Sequence, residues 1–192
     1  MHRLLIAVTG TPGVGKSTFA KRLSSKLEGS HLIEINDIVN RYSLYSKKDK
    51  FGTKIVNLGQ LNSILSRTLR KNRKRNVVIA GHLAPELRLR YDIAVVLRCN
   101  LEKLAKRLEG RRYAREKLAE NIISESLDYC GLKIAKTAKE TYEVESTDDQ
   151  KGVMNYIIAV SEGSRVKKPS KRQINRLNDL LALVKKGNKY GL

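Results

Sequence analysis

Gly10-Thr11-Pro12-Gly13-Val14-Gly15-Lys16-Ser17 spells a complete G-x-x-x-x-G-K-S loop, and its neighbours decide the fold. Before it, Leu4-Leu5-Ile6-Ala7-Val8 is an apolar run suited to a buried strand; after it, Thr18 to Leu27 reads as a helix. In strand–loop–helix order the glycines let the backbone curl so that successive N–H groups point inward at phosphate oxygens. The following helix N-terminus favours the same anionic charge. Lys16 is placed to reach the β- and γ-phosphates and Ser17 to ligate Mg²⁺. The motif therefore predicts a nucleoside triphosphate site.

Outward from the loop, apolar runs alternate with helical patterns. His31 to Ile35 reads as a second strand, with Asn36 or Asp37 capping a helix through Tyr42. Ser46 to Gly52 reads as a polar loop, and Leu58, Leu61, Ile64, Leu65 and Leu69 recur at helical spacing. Val77 to Ala80 is the third strand and Asp92 to Arg98 the fourth, with Asn100 capping a helix through Leu108. A turn at Gly110 to Tyr113 precedes one long helical stretch from about Ala114 to Lys139. Tyr142 to Thr147 is the fifth strand, and Asp148 or Asp149 opens a helix through Val160. Strands and helices in alternation predict an α/β fold with a five-stranded parallel sheet covered on both faces.

The charge balance is the second strong signal. Lys plus Arg number 39 against 19 Asp plus Glu, a net +20, and a field of that size draws polyanions. Arg67 to Arg75 holds six cations and no acid; Ser164 to Leu192 holds nine and one acid, Asp179. Within that tail Lys167 to Arg172 reads as a flexible basic linker, and Ile174, Leu177, Leu181 and Val184 as one stripe of a helix. The stripe fits either a helix docked on the core or an arm gripping phosphates. RNA is the partner class the charge favours over a merely solvated cationic face. No stretch approaches the roughly 18 apolar residues a membrane span needs. With Met1 to Arg3 running straight into a strand, a cytoplasmic protein without membrane contact is expected. Two cysteines, Cys99 and Cys130, are too few for a metal or disulfide framework and suit the core.

The N-K-x-D guanine signature is missing, and the chain has no room for a helicase partner domain, which leaves the small nucleoside monophosphate kinases. Within them Gly10 to Thr18, Gly81-His82, Val96-Leu97-Arg98 and Arg107 to Tyr113, followed by Lys117-Leu118 and Glu120-Asn121-Ile122, form a set. The set resembles the adenylate kinase isoenzyme 6 family, including its archaeal members, over residues 1–163. The most specific part is R-x-Y-x-x-x-K-L-x-x-N from Arg111 to Asn121. The resemblance implies a P-loop NTPase fold with a short monophosphate-binding segment at about 34–57 and a short lid at about 110–120. The basic extension 164–192 lies outside it. It further implies adenylate kinase activity on AMP or another nucleoside monophosphate, with ATPase activity. It also implies a role in late small-subunit ribosome maturation and rRNA 3′-end processing, through a ribosomal protein of the subunit platform and rRNA or the pre-ribosomal particle.

By motif position Gly13, Gly15, Lys16, Ser17 and Thr18 cradle ATP. Lys16 and Arg111 are the expected stabilisers of the transferring phosphoryl. Asp37 and Arg41 are candidates for the acceptor side, with capping the competing role for Asp37. His82 would position a water or sit as a structural imidazole. In the family that histidine belongs to an Asp-x-His signature, and here the Asp position is Ala80. Mg²⁺ binding therefore rests on Ser17, the nucleotide phosphates and water, or on an acid from elsewhere. An ATP-gated ribonucleoprotein assembly factor with little kinase activity, and a small-molecule kinase such as a shikimate or gluconate kinase, are the alternative readings.

Overall fold

A computed structural model describes residues 3–48, 54–73, 75–111, 113–147, 150–170, 173–185 and 190. Five parallel strands form the central sheet: β1 (Leu5–Thr9), β2 (His31–Glu34), β5 (Val77–Ala80), β6 (Tyr91–Arg98) and β7 (Ala138–Glu145), in the order β2-β5-β1-β6-β7. β1 pairs with β5 on one side and β6 on the other, Val8 lying opposite both Ala80 and Val95. Because helices cover both faces, the central strands read as unbroken apolar runs, and all four residues of β5 are buried.

Residue parity sorts those strands onto two cores. Ile6, Val8, Val78, Ala80, Val95 and Leu97 face the layer of α1 (Lys16–Lys26), α4 (Leu101–Glu109), α5 (Arg115–Ser126) and α7 (Lys151–Ser161). Ala7, Val77, Ile79, Ala94 and Val96 face α2 (Ile35–Arg41), α3 (Leu58–Lys71) and α6 (Tyr129–Ile134). Parallel strands all end at one edge of the sheet. The chain there passes from β1 into the Gly10–Ser17 loop, from β2 into α2, and from β5 into Gly81-His82.

Several expectations need correction. α2 begins at Ile35 after Glu34, so neither Asn36 nor Asp37 caps it, and Asp37 sits in its first turn. Tyr45–Lys48 is not loop but strand β3, pairing antiparallel with β4 (Lys54–Val56), Tyr45 opposite Val56. Strand-favouring Tyr45 and Val56 pack on the lower core, which is what holds the hairpin down. The rest of the predicted loop, 49–52, lies outside the described residues.

The long helix expected to Lys139 breaks at Asp128, which takes a left-handed conformation (φ 52°) and caps α6 by accepting the Gly131 N–H at 3.2 Å. A carboxylate that binds local backbone competes with helix continuation. β7 then starts at Ala138, four residues earlier than expected, in register with Tyr91. Asn57 and Asn100 cap α3 and α4 with their side chains. Asp148 and Asp149 lie outside the described residues, and α7 follows Gln150.

The tail helix α8 (Leu177–Lys185) packs by a different face from the stripe expected of it. Leu183 is buried in the upper core with Leu180 beside it, whereas Leu177, Leu181 and Val184 are exposed. Ile174 is buried ahead of the helix, and its N–H is held by Glu143 at 2.9 Å. Arg176 pairs with Glu145 and Asp179, and Lys168 pairs with Glu140. The tail is thus fastened along the β7 edge.

Candidate active site

Steric demands explain why the loop is glycine-rich. Gly10 has φ 136°, and a Cβ there would lie 2.4 Å from the Leu97 carbonyl oxygen, so no side chain fits. Gly15 has φ 106° at the N-cap of α1, and its Cβ direction is open. Backbone amides at this helix start are therefore free of side-chain cover. The Lys16 ammonium folds back over the loop and donates to the Thr11 carbonyl at 2.8 Å. Burial lowers its pKa to about 8; Cys130 and Glu125 oppose the shift and Arg111 adds to it. An ammonium whose charge is penalised by desolvation is a group that gains from an arriving phosphate.

Beside the loop lies a cavity of about 590 Å³, lined by Gly13, Gly15, Thr18, Arg107, Arg111 and Gln150 among others. Arg107 braces it: one guanidinium nitrogen donates to the Gly13 carbonyl at 3.3 Å and to the Ser146 hydroxyl at 3.5 Å. Arg111 follows α4, its N–H donating to the Leu108 carbonyl at 3.1 Å, and its side chain is exposed over the cavity. Its volume suits a nucleoside bearing phosphates. Of the predicted ATP contacts, Gly13, Gly15, Thr18 and Arg111 border this space, while Lys16 and Ser17 do not line it.

His82 stands two residues beyond the end of β5. Burial lowers its pKa to about 4, and the nearby charges of Lys16 and Lys117 add to the effect, with Glu86 opposing. The imidazole is neutral at physiological pH and able to accept a hydrogen bond beside two ammonium groups. Lys16 thus lies within electrostatic reach of both Arg111 and His82, residues far from it in sequence.

Ser17 is exposed in the first turn of α1, and its hydroxyl donates to the Glu34 carboxylate at 2.6 Å. The other Glu34 oxygen pairs with Lys21 at 3.2 Å. A hydroxyl backed by a carboxylate is hard-oxygen chemistry of the kind Mg²⁺ takes, so the residues present fit the ion a nucleotide carries. Among the described residues no cluster of three or more His, Cys, Asp or Glu forms a separate metal centre. Asp37 and Arg41 are exposed and border a smaller cavity of about 250 Å³ between β2, α2 and α3, which Glu34 also borders. The loop residues do not reach that cavity, so Asp37 and Arg41 are the predicted site residues that the fold leaves apart from the rest.

Sequence reasoning missed two carboxylates. Glu34 is the last residue of a parallel strand, the position where such sheets present ligand contacts, and that placement is the signal that marks it. Glu125, nearly fully buried, accepts the Thr11 hydroxyl at 2.7 Å, the Arg98 Nε at 2.9 Å and the Cys99 N–H at 3.0 Å. Arg98 also meets Asp128 and Glu143; burial works against its charge, the three carboxylates outweigh it, and its pKa is raised. Among the three glutamates of α5, nothing local marks Glu125 as the buried one.

A glycine-lined phosphate loop between β1 and α1, under cations drawn from three elements, defines a P-loop protein built to hold nucleotide phosphates. Residues 6–128 match the family model described as an AAA domain. A protein of Methanocaldococcus jannaschii named putative adenylate kinase is 34% identical over 167 residues, 86% of this chain and 89% of the relative. One of the same name from Halobacterium salinarum is 37% identical over 164 residues, 83% and 91% of the two chains. The chain belongs to this family, shared with the archaeal proteins so named. Among solved structures, shikimate kinase from Acinetobacter baumannii in complex with shikimate superposes with a TM-score of 0.59, at 16% identity over 86% of this chain and 96% of that one. Shikimate kinase from Bacteroides thetaiotaomicron gives 0.52, at 20% identity over 83% and 98%. At such identities these two likenesses speak for the fold alone. Among the described residues no helix is long and apolar enough to cross a membrane.

Proposed function

We propose that this chain is an adenylate-type kinase that transfers the γ-phosphoryl of ATP to AMP or another nucleoside monophosphate, with ATPase activity. The observation that carries the reading is the gathering of Arg111, Lys16 and neutral His82 around one phosphate loop. Phosphoryl transfer needs alignment and cationic stabilisation more than covalent help. The loop amides and Lys16 hold the β- and γ-phosphates, and the nucleoside occupies the cavity beside Arg107 and Gln150. Arg111 meets the charge that spreads over the equatorial oxygens, delivered as the segment 110–120 closes. The acceptor lies on the Lys16–His82 side, between the loop and the segment 34–57, where His82 accepts a hydrogen bond from the acceptor or from a water. Bound with the nucleotide through Ser17, Mg²⁺ would screen the phosphate charge. The names carried by the archaeal relatives support an adenylate acceptor. The shikimate kinase neighbours supply no acceptor residues at their level of identity.

ADP formation from Mg·ATP by purified protein, followed with and without AMP, NMP analogues or shikimate, tests this. Turnover should rise on adding AMP; turnover indifferent to every monophosphate refutes the kinase reading and leaves an ATPase.

A second reading accompanies the first. Arg67, Arg70, Lys71, Arg73 and Arg75 are all exposed at the end of α3 and beyond, unpaired with any carboxylate among the described ion pairs. We infer from this face and the +20 balance that the protein meets rRNA, or a platform ribosomal protein within the pre-ribosomal particle, during small-subunit maturation in the cytoplasm. Binding to small-subunit rRNA should fall steeply with salt, each neutralised phosphate releasing counterions. Charge reversal at Arg70, Arg73 and Arg75 that leaves both affinity and salt slope unchanged refutes that face.

A further inference from the structure

The sheet row that ends β5 lacks a carboxylate, and its neighbour supplies one. Ala80 is buried and bears nothing that can ligate or orient a water. Position 81 offers no substitute, because a Cβ on Gly81 would come within 2.8 Å of the Ile35 side chain. On the adjacent strand β2, in register with Ala80, stands Glu34. Residues opposite one another on neighbouring parallel strands share a face, and this one is the α1 face, to which Ala80 and Val78 belong. Both neighbours of the Glu34 carboxylate come from α1: the Ser17 hydroxyl at 2.6 Å and the Lys21 ammonium at 3.2 Å.

We propose that Glu34 is the positioning carboxylate of the nucleotide–Mg²⁺ site, taking from β2 the place left empty at Ala80. The inference rests on the nucleotide-binding reading above. Its logic is one of adjacency: strands lie ~4.8 Å apart, so a carboxylate on the residue in register with Ala80 stands one strand over from the place of a residue-80 carboxylate, and it is already held on the Ser17 hydroxyl. The Ser17 hydroxyl has one proton and two lone pairs. With the proton committed to Glu34, a lone pair is left to face the ion. Lys21 on the second oxygen fixes the carboxylate's orientation. Mg²⁺ sheds its waters reluctantly, and a carboxylate at this edge also accepts hydrogen bonds from the waters it keeps.

The test reads metal binding rather than turnover. ADP affinity is measured calorimetrically on full-length protein in EDTA and in saturating Mg²⁺, and the ratio gives the gain that the ion provides. Glu34→Gln and Glu34→Asp should each cut that gain by about 10-fold or more, as loss of supporting contacts does at other metal sites. The ADP affinity in EDTA should stay within about twofold of the starting protein, since the loop amides and Lys16 are untouched. Adding Ala80→Asp to either variant should restore most of the gain. An unchanged gain in both single variants overturns the proposal, and so does a double variant no better than its parent while its ADP affinity in EDTA is intact. Failure of the unsubstituted protein to bind ADP in either condition overturns the nucleotide reading instead. Circular dichroism melts of each variant confirm that folded protein is compared.

Discussion

Nucleotide binding should pull a proton onto Lys16. With its pKa lowered to about 8 by burial, the side chain is about half neutral at pH 8 and a tenth neutral at pH 7. Phosphates brought against the amine favour its charged form and return the pKa toward the ordinary lysine range. Binding of Mg·ADP should thus take up ~0.5 proton at pH 8 and ~0.1 at pH 7. At pH 8 the groups beside the loop add little: His82, at about 4, is already neutral, burial holds the Cys130 thiol protonated, and phosphate oxygens, ionising near pH ~6, are almost fully deprotonated. Above pH 8 the affinity should fall, approaching ~10-fold per pH unit as protonation of a neutral amine becomes part of binding. Titration calorimetry at pH 8 in buffers of different ionisation enthalpy reads the uptake as a slope, and Lys16→Met should flatten it. A slope near zero in the unsubstituted protein, or one equal in Lys16→Met, refutes the placement of a desolvated ammonium at the phosphates.

Three further outcomes are expected. Arg111→Ala should lower ATP turnover by about 10³-fold or more while leaving the melting temperature within a degree or two, because the side chain is exposed and serves only charge developed in transfer; a loss under tenfold removes it from the site. Burial raises the Asp128 carboxyl to about 6 against the opposing pull of Arg98, so its stabilising contribution is full below the ordinary carboxyl value near 3.8 and is lost as pH rises through about 6. Asp128→Asn, which keeps the cap and tolerates the left-handed backbone, should gain on the original protein by roughly 1 kcal/mol between pH 4 and 7 after solvent screening, visible in thermal melts; a difference independent of pH contradicts this. Leu183→Ala should cost about 2–5 kcal/mol in urea unfolding, whereas Leu181→Ala on the solvent face should cost under 1.

What the chain spelled out plainly was whatever rests on local pattern. The loop with its flanking strand and helix, the short apolar strands, and the Asn100 cap of α4 are all written in consecutive residues. Less legible was anything decided by partners distant in sequence. Asp128 interrupts a helical pattern that nothing nearby opposes, and it meets Arg98, thirty positions earlier, at 2.8 Å. The tail shows apolar residues on more than one helix face, and only the groove against α4 and α5 decides that Leu180 and Leu183 go inward. Ala80 reads as a loss until strand register sets Glu34 beside it. Asp37 and Arg41, acceptor-side candidates by their place after the second strand, border a separate, smaller cavity.

The buried Glu125 sets a boundary condition on any movement above the loop. Its carboxylate grips Thr11 within the glycine turn and Arg98 at the end of β6, and it belongs to the last turn of α5. That end of the helix is therefore moored to the floor it overlooks. Rigid translation of the whole helix would strip a guanidinium of its principal counter-charge in a dry interior, at a penalty of several kcal/mol. Leu118 and Ile122 of the same helix are sunk in the core, so α5 is pinned along its length and serves the loop as a fixed retaining wall.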